Sequence, residues 1–365
     1  MRKFKIAFVG LKGIPAKYGG VEKHVEELGA RLAKKGHNII CYTRWNYNNF
    51  NGIYKGMKVI STPAIPEKHT EMISHTFFSL LNLMDKNVDI IHIHSVDPAI
   101  LSFIPRMNAK VVVTSHGQAY RRQKWGKIAK KLSMMAERSF VLFPNKRVAV
   151  SKTLKKYYRN KYNCDATYIP NGIDIQSVNG SSSLGKLGLA KNEYFLFVGR
   201  IIPTKGCDTL VEAYMKVNTD KKLVFAGGSS YSDEYFERLR QKANKQTIFL
   251  GYRYGEELTQ LYANAYCFVM PSEIEGLAIT LLEAMSFEKC VIYSDIPENA
   301  EAADGVGIPF RNKDIDDLAE KMRFALANPE LCQELGIKAR ERVKKEYNWD
   351  NIVSQTEEVY YSLFR

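Results

Sequence analysis

The chain has 365 residues, 45% apolar and 25% charged, with a formal net charge of +14. That is enough apolar material for a sizeable core, and the length favours two domains. No apolar run approaches the ~18–20 residues of a spanning helix, and Ile6-Ala-Phe-Val9, behind its basic residues, is too short for a signal peptide. Six cysteines without a C-x-x-C pair argue against a disulfide framework. With Cys41, Cys267 and Cys290 in strand-like runs, they read as reduced core residues of a cytoplasmic protein.

The charge is uneven. Residues 1–180 hold 30 Lys and Arg against 11 Asp and Glu, whereas the remainder holds 23 against 28. A strongly basic first half beside a mildly acidic second half suggests a different partner for each.

In chain order, Lys5–Val9 reads as a strand and Gly10–Gly20 as a glycine-bearing loop. Val21, Val25, Leu28 and Leu32 then mark a helix. Strand, glycine loop and helix together can cradle an anion, because glycine lets backbone amides approach closely. The loop is not G-x-G-x-x-G, which lowers a dinucleotide reading. Strands follow at Asn38–Thr43, Met57–Ser61, Asp89–Ile93 and Lys110–Thr114, with a helix over Thr70–Asp85 among them. The alternation predicts a parallel, doubly wound sheet. His92 and His94 share one strand face, but the sequence places no third metal ligand beside them, and they read as strand-end polar residues. His116 follows a strand directly and precedes Gly117, a position at the ligand-binding end of such a sheet.

A basic, aromatic stretch comes next: Tyr120, Arg121, Arg122, Lys124, Trp125, Lys127, Lys130 and Lys131, then Met134 and Met135. A solvated helix face is the ordinary explanation. Nucleic-acid binding lacks any recognised module. Basic residues interleaved with Trp, Tyr and Met suit an anionic membrane or a lipid-linked diphosphate. Tyr168–Asp174 closes the first domain, and Asn179–Ser183 has the composition of a linker.

The second half repeats the pattern. Tyr194–Val198 is a strand, and Arg200 and Lys205 sit on its exit loop; exposed ion pairing is the ordinary reading of two such cations, and neutralising a departing diphosphate the functional one. Strands follow at Lys222–Ala226 and Thr247–Leu250. The apolar run Tyr266–Met270 ends at Pro271, and a helical pattern resumes from Leu277 through Leu281, Leu282 and Met285. Glu275 therefore sits at a strand's carboxyl end and Glu283 on the following helix, whose amides favour an anion. Two carboxylates beside a helix start suit the hydroxyls and diphosphate of a nucleotide sugar, although a capping and a solvated glutamate would look the same. Asp314-Ile-Asp316 has metal-binding spacing but opens a helical stretch, and reads as a cap.

Pro271–Met285, with Gly10–Gly20, Ser115-His-Gly117, Pro170–Asp174, Val198-Gly-Arg200, Lys205-Gly206 and Leu250-Gly-Tyr252 in this order, resembles the retaining glycosyltransferases of family 4. The resemblance implies the GT-B architecture: two doubly wound Rossmann-like α/β domains facing each other across a cleft. The first, 1–175, would bind the acceptor and be joined by a C-terminal helix at 348–365. The second, 176–347, would bind the donor.

The resemblance also implies residue roles. His116 would stand near the reacting carbon, Glu275 on the sugar and Glu283 on the ribose. Arg200 and Lys205 would hold the phosphates, with Gly19, Gly20, Gly276, Leu277 and Ala278 lining the donor site and Tyr252 near the base. No cofactor or metal is expected. The Gly-Ile-Pro-Ala-x-Tyr-Gly-Gly loop and Lys124-Trp-Gly126 look most like a rhamnosyltransferase-like bacterial branch. Leu277-Ala278, where Phe-Gly is common, bears on the donor. A nucleotide-sugar epimerase or a non-catalytic sugar binder are the alternatives.

Overall fold

The computed structural model describes residues 2–17, 19–47, 49–67, 70–117, 127–175, 184–229 and 233–365. In chain order the first sheet unit contains β1 (Lys5–Val9), α1 (Gly20–Lys34), β2 (Asn38–Arg44), β3 (Gly52–Tyr54), β4 (Met57–Thr62) and α2 (Glu71–Leu83). Next come β5 (Ile90–His94), β6 (Lys110–Ser115), α3 (Lys127–Leu142), β7 (Lys146–Ala149), α4 (Lys152–Tyr162) and β8 (Thr167–Tyr168). The strands run β3-β4-β2-β1-β5-β6-β7-β8, parallel throughout except for the β3–β4 hairpin. Ile6, Ala7, Phe8 and Val9 of β1 are fully buried, as expected of a central strand covered on both faces. The winding reverses between β1 and β5.

The second sheet contains β9 (Tyr194–Val198), α5 (Cys207–Met215), β10 (Lys222–Ala226), α6 (Asp233–Lys242), β11 (Thr247–Phe249), α7 (Gly255–Asn264) and β12 (Cys267–Met270). It continues with α8 (Ile279–Ser286), β13 (Cys290–Ser294), α9 (Pro297–Ala303), β14 (Ile308–Phe310), α10 (Ile315–Ala327) and α11 (Pro329–Glu346). All its strands are parallel, in the order β11-β10-β9-β12-β13-β14, so the reversal lies between β9 and β12. Phe195, Phe197, Phe225, Val269 and Ile292 form the strand side of its core, packed on Leu210, Tyr214, Leu318 and Met322.

A last helix, α12 (Trp349–Tyr361), packs on α1 of the first sheet. Its face of Trp349, Ile352, Val353 and Tyr360 is buried in the first core, each side chain contributing ~1.5–3 kcal/mol on transfer from water. Polar ties fix its position. Glu357 accepts from Lys35 Nζ at 2.5 Å and from His37 Nε2 at 3.0 Å, while the Phe4 amide donates to the other His37 nitrogen at 3.1 Å. The chain thus forms two compact units, Met1–Gly172 with Trp349–Arg365, and Ile173–Asn348. The first division falls a few residues before the expected 175/176 boundary.

Two local expectations differ from the structure, and a third lies outside it. The helix expected at Thr70–Asp85 spans Glu71–Leu83. The helix expected from Leu277 begins at Ile279, leaving Gly276, Leu277 and Ala278 in the connecting loop. Its N-cap is Ala278, which has no side-chain acceptor, so the ordinary start signal is missing from the sequence. The expected linker Asn179–Ser183 lies outside the described residues.

Candidate active site

In the second unit Arg200, Lys205, Glu275, Gly276, Leu277 and Ala278 stand on loops leaving β9 and β12, the neighbouring strands at the reversal, where ligands of open α/β sheets bind. Gly206 brings the two loops together. Its φ is +63°, and a Cβ there would lie 2.1 Å from the Pro271 carbonyl oxygen, so only glycine permits this approach. The Glu273 amide then donates to Thr204 O at 3.0 Å. The result is a direct ion pair between Lys205 Nζ and Glu275 Oε1, with side chains 20% and 10% exposed. Lys313 Nζ, at 2.9 Å from Glu273, adds a cation the sequence reading did not single out.

Arg200, one residue past the Gly199 exit of β9, is exposed and has no ion-pair partner among the described residues. Glu283, on α8, is buried and accepts from Tyr262 Oη at 2.7 Å. Burial, and then the Glu283 charge, raise the Tyr262 phenol well above its ordinary value, so it stays a donor. The expected pair of glutamates therefore has two environments: Glu275 is held by a cation, Glu283 by a phenol.

Tyr252 Oη donates to Gly228 O at 3.0 Å, laying a 43% exposed ring over the β10 exit, and the Tyr254 ring lies parallel to it at 6.3 Å. Asp314 accepts from the Asp317 amide at 2.9 Å as the cap of α10, while Asp316 pairs with Lys216 at 2.6 Å.

In the first unit the reversal between β1 and β5 gathers histidines. His94 ends β5 and His116 follows β6; their rings share a hydrogen bond, Nδ1 to Nε2, of 3.2 Å. His24 reaches them from α1, with its ring 5.2 Å from that of His116. The sequence reading left the strand histidines without a third metal ligand. The fold supplies two, because one ring nitrogen each of His24, His94 and His116 lies within 4.8 Å of the others. His92, two residues before His94 on β5, is spoken for: Tyr360 Oη and Thr114 Oγ1 each lie 2.7 Å from one of its ring nitrogens.

Burial lowers His24 to about 4, and burial aided by the neighbouring imidazoles takes His94 and His116 well below the usual histidine range. All three are neutral at physiological pH. The backbone is strained beside them, with Ser95 at φ 90°. Gly10, at φ +93°, lets the β1 exit approach the His94 carbonyl, which a Cβ would meet at 2.6 Å.

Gly19 precedes α1 and Gly20 is its first residue. The loop before them does not present all its amides outward. The Lys12 amide donates to Glu22 Oε1 at 3.1 Å and the Ala16 amide to Glu26 Oε2 at 2.7 Å, both carboxylates being buried. This narrows the phosphate-cradle reading of Gly10–Gly20 to the amides nearest the helix. The basic, aromatic stretch Tyr120–Gly126 lies outside the described residues.

Comparison with known proteins agrees with this architecture. Residues 18–177 match the domain described as Glycosyltransferase Family 4, and residues 184–342 the domain described as Glycosyl transferases group 1. Alpha-maltose-1-phosphate synthase of Mycobacterium tuberculosis is 29% identical over 260 residues, 63% of this chain and 66% of that protein. The enzyme of that name from Mycolicibacterium smegmatis is 26% identical over 98% of both chains. Among solved structures, sucrose-phosphate synthase from Thermosynechococcus elongatus superposes with a TM-score of 0.88 at 24% identity, covering 100% of this chain and 99% of that one. Anabaena Alr3699/HepE, solved in complex with UDP and glucose, has a TM-score of 0.82 at 17% identity, covering 98% and 100%.

Proposed function

Since this chain is a glycosyltransferase of the GT-B type, a Family 4 domain followed by a group 1 domain, we propose that it moves a sugar from a nucleoside-diphosphate sugar to a saccharide or lipid-linked acceptor, with retention of the anomeric configuration. The single observation that carries the donor assignment is the loop pair at the second unit's reversal: Arg200, without an ion-pair partner among the described residues, on the same β9 exit loop as the Lys205 that pairs with Glu275. Arg200 and Lys205 take the diphosphate, where negative charge grows as it leaves. A fixed cation there is worth several kcal/mol in the transition state. As the phosphate engages Lys205, Glu275 is released to accept from the sugar hydroxyls. Glu283, oriented by Tyr262, accepts from the ribose. Tyr252 offers its exposed ring face to the base.

On the acceptor side the reading assigns His116 to the neighbourhood of the anomeric carbon. Being neutral, it donates or accepts one hydrogen bond without adding charge. No candidate residue is placed as a carboxylate nucleophile. The reading therefore has the leaving phosphate take the acceptor proton on the face it departs from, which accounts for retention. With two cations and helix amides serving the diphosphate, transfer proceeds without a divalent ion. The complexes of Alr3699/HepE with UDP and with UDP-glucose support a uridine donor, while the Gly10–Gly20 loop likeness supports dTDP-rhamnose.

The acceptor reading extends to an anionic membrane. The exposed stripe of α3 carries Lys131, Met134, Met135, Arg138 and Leu142, and α2 exposes Phe77, Phe78 and Leu81. Both helices pack on the 3₁₀ turn Asp97–Leu101. Cations alternating with apolar side chains, without an exposed acid between them, suit the headgroup region of a bilayer. No helix among the described residues is long and apolar enough to cross a membrane.

The test is a thermal-shift screen of nucleoside diphosphates and their sugars. The stabilising donor is then incubated with and without a lipid-linked acceptor, in EDTA. Transfer that needs the acceptor and survives chelation supports the reading. Interconversion of the donor alone would indicate an epimerase, and binding without turnover a sugar-binding protein. Loss of turnover in EDTA, restored by magnesium, would remove the metal-free step.

A further inference from the structure

The histidine cluster of the first unit has a second chemical property. His24 on α1, His94 at the end of β5 and His116 beyond β6 come from three separate elements, yet offer one nitrogen each within a 4.8 Å circle. His94 Nδ1 and His116 Nε2 are already 3.2 Å apart. Two nitrogens on one tetrahedral zinc, at bonds of ~2.0–2.1 Å, stand ~3.3 Å apart, so this pair sits at ligand spacing without movement. A His24 ring nitrogen lies within 4.8 Å of both.

An imidazole binds a metal through the lone pair of its neutral form. His24 Nδ1 is buried without a hydrogen-bond partner among the described residues. An unmatched buried nitrogen of this kind costs stability unless something uses it. Three nitrogen donors and no carboxylate favour zinc, copper or nickel over magnesium or calcium.

We propose that His24, His94 and His116 form a binding site for a zinc-class transition-metal ion, and that the bound ion takes His116 out of the transfer reaction. The second half rests on the reading of His116 as an acceptor-side group; the first half does not. The site has three protein ligands and a fourth position for water or an anion, the arrangement of an open zinc site. Since transfer itself needs no metal under the reading above, the ion acts as an inhibitor: it fixes the His116 ring through Nε2 and adds two positive charges near a carbon that becomes cationic.

The full chain, stripped of metal with EDTA, is titrated with Co²⁺ and followed by visible absorption, then with Zn²⁺ in competition with a chromophoric chelator. One equivalent of Co²⁺ giving the intense visible bands of tetrahedral coordination is expected, displaced by Zn²⁺. His24→Gln and His94→Gln should each weaken binding at least tenfold, with folding checked by circular dichroism. Should either variant fail to fold, the wild-type spectrum decides alone: weak octahedral bands or none overturn the site.

A near-ultraviolet sulfur-to-metal band instead would place the ion on the buried Cys267, Cys290 and Cys332 thiols, which also lie within 4.8 Å of one another, and would overturn the proposal. Activity then tests the second half. Zn²⁺ should inhibit transfer by the wild type, EDTA should restore it, and His24→Gln should lose the zinc sensitivity. Binding that follows the histidines while transfer is unaffected would retain the site and remove its inhibitory role. Should the chain prove to transfer no sugar at all, the Co²⁺ spectrum still reads the site.

Discussion

The two units solve the same topological problem with different chemistry. Each is a doubly wound sheet with candidate groups on loops beside the reversal, between β1 and β5 in one and between β9 and β12 in the other. All seven histidines of the chain lie in the first unit, and three of them meet there as neutral rings. The second unit has none; its loops carry Arg200 and the Lys205–Glu275 pair. A site of neutral rings handles hydroxyls and protons without paying to bury charge. A site of cations suits a diphosphate, whose own charge offsets theirs, while the carboxylate beside them is balanced by Lys205. The difference teaches that fold alone does not set the role of a switch point; the side chains on its loops do.

The contrast can be broken most sharply at Arg200. Its replacement by alanine should lower kcat by ~10²–10³, the scale of losing one preorganised donor to a developing charge, while the melting of both units stays near that of the native chain. A variant within threefold of the native rate would take Arg200 out of the mechanism.

Acidification should separate the units next. His24, lowered to about 4, and His75 and His92, each lowered to about 3, are held down mainly by burial, with the Arg44 charge helping at His75 and His24 at His92. In the unfolded chain they titrate near 6.5. The stability they contribute is complete above that pH and is lost as pH falls from there toward 3–4, since the unfolded state then binds more protons. One histidine shifted this far is worth ~3 kcal/mol. Calorimetry in EDTA between pH 7 and pH 4.5 should show the first unit's transition moving down faster than the second's. Parallel movement of both would contradict the burial assignment.

The ion pair gives a smaller effect in the second unit. Lys205→Met leaves Glu275 nearly buried and unpaired, at a cost of ~1–3 kcal/mol, and Lys205→Met with Glu275→Gln should recover part of it. Additive losses, read from denaturant midpoints, would mean the pair is not coupled. Smallest of all, Tyr262→Phe removes one donor from Glu283 and should weaken donor binding ~5–10-fold by calorimetric titration, with little change in turnover at saturation. Unchanged affinity would separate Glu283 from the ribose.

How much of this could be read beforehand depended on punctuation. Pro271 and Gly276 bracket the loop after β12, so the placement of Glu275 was legible from sequence. The start of α8 was not, since Leu277 continues the apolar spacing and Ala278 gives no capping signal. Two loops meeting through Gly206 could be foreseen as a glycine turn, but not that its partner would be the Pro271 carbonyl.

The histidine cluster was hidden by strand order. His94 and His116 become neighbours only because β5 pairs with β6, bringing His94 beside Thr114 two residues before His116. A usable signal did exist for His24. It lies three residues after Val21 on the helix face marked by Val25, Leu28 and Leu32, where a polar residue needs a partner. Glu22 and Glu26 carry the same message, and their partners are amides of the loop before α1.

The central claim is that the loops leaving β9 and β12 hold a nucleoside diphosphate through Arg200. Isothermal titration of the native chain and of Arg200→Ala with UDP and with dTDP, in EDTA, measures it directly. The account predicts saturable binding of at least one of the two by the native chain, weakened tenfold or more in the variant. Absence of binding by both, or equal affinity in the two proteins, would contradict it.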